Sequence, residues 1–178
     1  MRLFHLSDLH IGKRVNEFSM IEDQKYILER ILDLAEKEMP DGVILAGDIY
    51  DKQIPSAEAV QVFDEFITRL AERKFPVFVI SGNHDSAERL AFGGRLLNSR
   101  GIYLSPVYDG TVMKIPIADQ YGTVWIHLLP FIRPAAVRRV FEDESDLITD
   151  VQSAVRAVIS HMEIDPNERN ILVAHQFV

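Results

Sequence analysis

Four polar clusters in this chain, each directly after an apolar run, carry residue types that bind metal ions and transfer protons. They are Asp8-Leu9-His10, Gly47-Asp48, Gly82-Asn83-His84-Asp85 and, near the end of the sequence, His175. Short apolar runs are typical of buried strands, and the carboxyl ends of parallel strands meet at one edge of a sheet. Carboxylate, amide and imidazole ligands together suit Mn, Fe or Zn. The sequence therefore predicts a metal-dependent enzyme acting on phosphate esters.

The chemistry expected of such a site is hydrolysis by water. A carboxylate such as Asp48 can bridge two cations, and the preceding Gly47 lets the backbone turn sharply at the strand end. Two metal ions about 3.5–4 Å apart stabilise the attacking and the leaving oxygen of a phosphoryl displacement. Because the metals activate a water molecule as the nucleophile, no nucleophilic side chain is required.

The elements that must position these clusters alternate along the first half of the chain. We predict strands over residues 2–6, 43–46 and 77–80. Ser19 and Glu22 form a predicted capping box. The helix after it turns Gln24 away from an apolar stripe of Ile27, Leu28, Ile31, Leu32 and Ala35. A second helix begins at Pro55-Ser56 with Val60, Phe63, Ile67 and Leu70 on one face, and a third covers residues 87–98, with Leu90, Leu96 and Leu97 in the core. This alternation predicts a parallel sheet covered on both faces.

The second half of the chain changes character. Strands are expected over residues 102–104, 111–117, 124–129 and 170–174, with a last helix over 145–162. The short turns between them indicate either an antiparallel part of the same sheet or a second sheet. Because the chain stops just after a buried strand, we expect residues 1–178 to be the amino-terminal fragment of a longer protein.

Composition restricts the class of protein. The 178 residues are 47% hydrophobic and 26% charged, which is ordinary for one globular domain. There is no Cys, which excludes disulfides and fits a reducing cytoplasm. There is no 18-residue apolar run and no room for a signal peptide before the first strand, so we expect no membrane contact. The net charge of −8 argues mildly against DNA binding by the whole surface, but a local basic patch remains open.

The wording of the four clusters resembles the calcineurin-like metallophosphoesterases. Longer stretches, residues 7–13, 46–51, 81–86 and 173–176, resemble the family of nuclease subunits of bacterial SbcCD complexes. The resemblance implies an α/β fold with mixed sheets flanked by helices, in four α/β/β/α layers in the complete domain. It also implies that residues 1–178 are a metallophosphoesterase domain truncated at its carboxyl end, without the capping and partner-binding regions.

The resemblance also assigns roles to residues. It implies five metal ligands: Asp8, His10 and Asp48 for one ion, and Asp48, Asn83 and His175 for the other. His84 would protonate the leaving oxygen, with Asp51 orienting its ring. Asp85 either supports the site or caps the following helix, whereas His5, His127 and His161 are expected to have packing or surface roles.

The function implied is a DNA nuclease using two divalent metals, most often Mn²⁺. It would digest duplex ends and cut single strands and hairpins, as a homodimer with an SbcC-type ATPase, in DNA repair, recombination and replication. The family's downstream Gly-His-x-His motif is absent here, so we expect weak metal binding and little activity from these 178 residues alone.

Two alternatives are open. One is a calcineurin-like phosphatase or cyclic-nucleotide phosphodiesterase, although the chain has Gly-Asp-Ile-Tyr-Asp-Lys where protein phosphatases carry a longer Arg-Gly signature. The other is a non-catalytic scaffold, which the intact set of ligand residues argues against.

Overall fold

The first sheet of the protein is fully parallel, as the alternating pattern predicts. The computed structural model describes residues 1–177. The strands of this sheet are β1 (Leu3–Leu6), β4 (Gly42–Ala46), β5 (Val77–Ile80) and β6 (Ile102–Leu104), in that spatial order. Every neighbouring pair in it is parallel, so the carboxyl ends of β1, β4 and β5 lie side by side.

A second sheet, rather than an extension of the first, accounts for the later strands. It contains β7 (Met113–Asp119), β8 (Gly122–Leu128) and β9 (Arg169–Val173). The β7–β8 pair is antiparallel and the β8–β9 pair is parallel. A small hairpin of β2 (Arg14–Val15) and β3 (Phe18–Ser19) stands apart from both sheets.

Helices flank the sheets. They are α1 (Ile21–Glu38), α2 (Ala57–Glu72), α3 (Ala87–Leu90), α4 (Gly94–Leu97), α5 (Pro134–Val140) and α6 (Val151–Ser160), with 3₁₀ turns at Asn98–Arg100 and Glu142–Leu147. Within residues 1–177, no helix is both long enough and apolar enough to cross a membrane.

Side-chain alternation in the first sheet separates two cores. In β4, Val43 and Leu45 pack with the apolar faces of α1 and α2. Ile44 points the other way and packs with Ile126 and Leu128 of β8. Because successive side chains of a strand point to opposite faces, an unbroken apolar strand is what a sheet buried on both sides requires. The first sheet therefore lies between a layer of helices and the second sheet.

The amino-terminal end of α1 differs from the prediction. The helix is capped by Met20, which makes no side-chain cap hydrogen bond, so the predicted Ser19–Glu22 capping box is wrong. Ser19 pairs with Arg14 in the β2–β3 hairpin, and this pairing holds Ser19 outside the helix. The buried stripe is also rotated from the prediction, because Ile21 is buried and Ile27 is 52% exposed.

Other predicted segments are shorter than expected. The helix predicted over 87–98 is divided because Gly93 adopts a left-handed conformation (φ 75°) between α3 and α4. Leu96 is 80% exposed there, and Val60 on α2 is 44% exposed, so neither is the core residue that helical spacing predicted. The helix predicted over 145–162 begins only at Val151, because Asp150 forms its capping box with Ser153.

Candidate metal centre

The predicted ligand residues follow four strand ends that come from both sheets. Asp8 follows β1, Asp48 follows β4 and Asn83 follows β5, all in the first sheet, whereas His175 follows β9 in the second. The two sheets are joined at this point, because Nδ1 of His175 lies 2.8 Å from the carbonyl oxygen of Ala46 at the end of β4.

The buried carboxylate of Asp48 is the centre of the cluster. Its Oδ2 lies 3.6 Å from Nε2 of His10, 3.6 Å from Nε2 of His175 and 3.9 Å from Nε2 of His84. Its Oδ1 accepts a hydrogen bond from the backbone N–H of His84 at 2.9 Å. Three imidazoles therefore present the same ring nitrogen to one carboxylate oxygen.

Backbone carbonyls fix the orientation of two of these rings. Nδ1 of His175 is 2.8 Å from the oxygen of Ala46, and Nδ1 of His84 is 3.2 Å from the backbone oxygen of Asp51. Because a carbonyl oxygen only accepts, Nδ1 of each ring carries the hydrogen in both contacts. In the neutral imidazole, Nε2 then faces Asp48 with a free lone pair, which is the form that ligates metals.

His10 is held differently. Its Nδ1 is buried and has no hydrogen-bond partner within residues 1–177. The carboxylate of Asp51 lies 3.8 Å from this atom, and Nε2 lies 3.7 Å from the carboxylate of Asp8. Asp51 thus directs its side chain towards His10 and its backbone oxygen towards His84. The sequence prediction paired the Asp51 side chain with His84 instead.

These distances fit divalent cations. Two groups of donors, each with its ligand atoms within 4.8 Å of one another, share Asp48: His10 with Asp48 and His84, and Asp8 with Asp48 and His175. Two ligands at about 2.1 Å from one ion lie roughly 3–4 Å apart, which is the separation that these atoms show. The chemistry of the donor set and the unpartnered Nδ1 of His10 both suit a metal centre.

The grouping differs in one respect from the predicted ligand sets. His84 lies with His10 and Asp48, whereas the resemblance placed it outside the ligands. Asn83, a predicted ligand, is half-buried in the loop after β5 and lines a groove that leads away from the centre.

Three of these residues have left-handed backbone conformations. The φ angles are 57° for Asp8, 43° for His10 and 50° for Asp48. Non-glycine residues rarely adopt such angles, and they persist at functional sites where surrounding contacts hold them. Here the backbone N–H of His10 donates to the oxygen of Asp48 at 2.9 Å, so the two strained loops are tied to each other.

Gln24 is a site residue that the sequence analysis missed. Its Oε1 accepts from the N–H of Gly12 at 2.9 Å, and its Nε2 donates to the carbonyls of Leu9 at 3.0 Å and His10 at 2.7 Å. The prediction that Gln24 faces away from the packed side of α1 is therefore wrong. Hydrophobic periodicity counts a polar residue as outward-facing, although its amide here satisfies the backbone of a buried loop.

Asp85 connects two of the ligand loops. Its carboxylate accepts from the backbone N–H groups of Gly82 at 2.8 Å, Tyr50 at 2.9 Å and Ile49 at 3.1 Å. Burial raises the pKa of Asp85, and these hydrogen bonds oppose the increase. Ser86, not Asp85, caps α3 by accepting from Arg89. Of the two roles left open, Asp85 therefore has the supporting one.

Two glycines leave the space that the cluster needs. A Cβ at Gly82 would lie 2.1 Å from Oδ1 of Asp48, and a Cβ at Gly47 would lie 2.6 Å from the ring of His175. Gly47 also has a φ of 85°, which only glycine adopts readily. Each motif therefore needs glycine at this position for the ligands to approach.

The remaining histidines lie outside the cluster. His127 is buried, with Nε2 2.9 Å from Oδ1 of Asn170. His161 stacks on Phe141 with the ring centroids 4.2 Å apart. His5 is exposed within β1. Packing and surface roles were predicted for all three.

The fold and this cluster define a family. The chain belongs to the calcineurin-like phosphoesterases, whose family model matches residues 1–176. It is 36% identical to the SbcD subunit of the nuclease SbcCD from Staphylococcus epidermidis, and 34% identical to the protein of the same name from Staphylococcus saprophyticus. Each match covers 98% of this chain and 46% of the relative. The chain thus spans less than half the length of these relatives.

Proposed function

We propose that this chain is the catalytic part of a DNA nuclease that hydrolyses phosphodiester bonds with two divalent cations, most often Mn²⁺, in the cytoplasm. The observation that carries the proposal is the position of Asp48, whose Oδ2 lies 3.6 Å from Nε2 of both His10 and His175. The names of the relatives support DNA as substrate and an SbcC-type ATPase as partner. We extend to this protein the duplex exonuclease and hairpin endonuclease activities and the homodimer expected from the sequence.

Asp48 would belong to both ion sites, and Asp8, His10, Asn83 and His175 would complete them. When bound, such ions polarise phosphoryl oxygens and lower the pKa of water. The chain itself supplies rigidity, because each ligand loop is tied to another loop by backbone hydrogen bonds or by Gln24 and Asp85. Preorganised ligands lose little freedom when the substrate arrives.

His84 is proposed to move the proton. Its side chain is 46% exposed, so a substrate can reach it, and its Nδ1 is held by the backbone oxygen of Asp51. Because Nδ1 keeps its hydrogen, Nε2 is the atom that gains and loses a proton. A protonated Nε2 beside the leaving oxygen can donate to it, which is general acid catalysis.

A second candidate is a phosphatase or cyclic-nucleotide phosphodiesterase of the same family. The net charge of −8 favours it, because an acidic surface repels a long polyanion. Both candidates use the same cluster and differ only in the substrate that reaches it.

The experiment that tests the proposal compares substrates on the full-length protein. End-labelled duplex and single-stranded DNA, bis(p-nitrophenyl) phosphate and a phosphopeptide are incubated in Mn²⁺, with and without chelator, beside the Asp48→Ala variant. We expect DNA cleavage that the chelator and the variant both abolish. Hydrolysis of the phosphopeptide with intact DNA would instead establish the phosphatase.

A further inference from the structure

A groove of about 320 Å³ leads from the metal centre across the surface. One wall is the loop after β5, which includes Asn83. The other wall is the segment that carries Phe131 and Arg133, with Tyr108 between the two. We propose that this groove binds the nucleotide next to the bond that is cut, with Arg133 on its phosphate and Phe131 and Tyr108 along its base. This inference rests on the proposed nuclease function and names a substrate subsite for it.

The groove is fixed to the strands that carry the ligands. The backbone N–H of Phe131 donates to the carbonyl of Ser81 at 2.8 Å, at the end of β5. The side chain of Gln176, next to His175, donates to the carbonyl of Pro130 at 2.8 Å. Both hydrogen bonds tie the outer wall to a ligand loop. A group bound against this wall therefore sits at a set distance from the metal centre.

Arg133 supplies the positive charge. It is exposed at the groove and takes part in no ion pair within residues 1–177. Its neighbour Arg138, in contrast, is held by the carbonyl of Ile148 at 2.6 Å. A guanidinium group suits phosphate because its planar N–H groups match two phosphate oxygens. In an acidic protein, an uncommitted arginine beside the centre is where a nucleic-acid phosphate is attracted.

The acidic residues of the groove are arranged so that they orient a nucleotide. The carboxylate of Asp85 is buried and accepts three backbone N–H groups. Glu88 stands on the opposite wall from Arg133, and its carboxylate accepts from the Ser86 hydroxyl at 2.8 Å. A phosphate is therefore drawn towards Arg133 and away from Glu88, which gives the bound strand a direction.

The aromatic rings suit a base. Phe131 is half-buried, and its ring is held edge-to-face against Phe177 at 5.8 Å. Burial raises the pKa of Tyr108 to about 12, so this residue is uncharged at neutral pH and does not repel phosphate. Stacking on aromatic rings accepts any base, which fits a nuclease without a sequence preference.

The size of the groove selects an unpaired nucleotide. Its volume of about 320 Å³ is at the lower end of the range for small-molecule pockets. It accommodates one nucleotide, whereas a paired base stays stacked inside the duplex. We therefore expect the groove to act on single strands and on frayed duplex ends.

The test measures binding of a fluorescein-labelled single-stranded oligonucleotide by anisotropy, with the full-length protein in chelator so that the strand is not cut. Arg133→Ala should raise Kd by about 3- to 10-fold and reduce the slope of log K against log salt by about one. Phe131→Ala should raise Kd by about 5- to 100-fold. The control is Arg139→Ala, which removes the same charge from an exposed position outside the groove on α5, and it should change Kd less than twofold.

Three results would overturn the inference. Equal losses in Arg133→Ala and Arg139→Ala would mean that only net charge matters. Unchanged binding in Arg133→Ala and Phe131→Ala, with wild-type protein still cutting DNA in Mn²⁺, would remove the groove and leave the proposed function standing. A wild-type protein that leaves DNA intact in Mn²⁺ but hydrolyses bis(p-nitrophenyl) phosphate would remove both. Circular dichroism verifies that each variant is folded.

Discussion

The side-chain amide of Gln24 donates a hydrogen bond of 2.7 Å to the carbonyl oxygen of His10. This contact joins the first turn of α1 to the loop that carries two predicted metal ligands, one of which is His10 itself. The same side chain also binds Leu9 and Gly12. Three partners on one left-handed loop indicate that Gln24 holds the ligands in the geometry needed for metal.

Replacing Gln24 by Ala should weaken Mn²⁺ binding about 10- to 100-fold, because residues that orient ligands typically have effects of this size. Isothermal titration calorimetry of the full-length protein measures it. Leu28→Ala is the matched control, since Leu28 is buried one turn later on α1 and its side chain has no group that could hydrogen-bond to the loop. If Leu28→Ala, at the same loss of thermal stability, weakens Mn²⁺ equally, Gln24 has no specific role.

Replacing Asp85 by Ala should destabilise the protein by at least about 2 kcal/mol. The three backbone N–H groups that it accepts would lose their partner, and unsatisfied buried groups are costly. Urea unfolding measures the change, with the exposed Asp64→Ala as control. A loss below about 0.5 kcal/mol would show that water replaces the carboxylate.

Gly82→Ala should abolish tight Mn²⁺ binding while leaving the protein folded. The new Cβ would lie 2.1 Å from Oδ1 of Asp48 and force this carboxylate to move. Gly94→Ala is the control, since its Cβ would meet Leu104 at an ordinary 3.5 Å. Calorimetric titration and a circular dichroism spectrum of each variant distinguish a displaced ligand from an unfolded chain.

His84 and Asp48 should respond differently to replacement by Ala. If His84 is the general acid, its variant keeps Mn²⁺ affinity but loses about 10²- to 10⁴-fold in cleavage rate. Asp48→Ala should lose the metal itself, because both donor groups share this residue. A large loss of Mn²⁺ affinity in His84→Ala would identify His84 as a ligand, as its position near His10 allows.

The ion pair between Asp119 and Arg169 should make stability depend on pH. Arg169, which donates at 2.7 Å, holds the pKa of Asp119 well below its usual range. A depressed folded pKa stabilises above the unfolded value of about 4, and this contribution declines as the pH falls.

Wild-type protein should therefore be more stable than Asp119→Asn at pH 7 and at pH 5, and the difference should shrink at pH 3. Urea unfolding at the three pH values measures it. The surface pair of Arg30 and Asp33 is the control, because Asp33→Asn removes an exposed partner and should show no such trend. A difference that stays constant down to pH 3 would contradict the assignment.

Much of the first sheet could be predicted because its strands are uniformly apolar. The 43–46 segment has no polar residue, and a buried parallel strand is the simplest structure that accommodates it. Likewise, each ligand cluster follows such a strand, so convergence at one edge was predictable from the order of elements alone.

The direction of each side chain in the cluster could not be predicted. It depends on left-handed backbone angles at Asp8, His10 and Asp48, which sequence patterns do not report. The partners of Asp51 and the inward position of Gln24 follow from these angles. The short helix α5 and the break at Gly93 were likewise beyond periodicity, which needs several turns to register.

The contact between His175 and the carbonyl of Ala46 joins residues that are 129 positions apart in the chain. Contacts that span so much sequence form slowly, because a long loop must close first. The first sheet and helices α1 and α2 connect nearer neighbours and can assemble while the rest of the chain is still being synthesised. The cation site is therefore the last part of the domain to be completed. A nascent chain already carries Asp8, Asp48 and Asn83 long before His175 has left the ribosome.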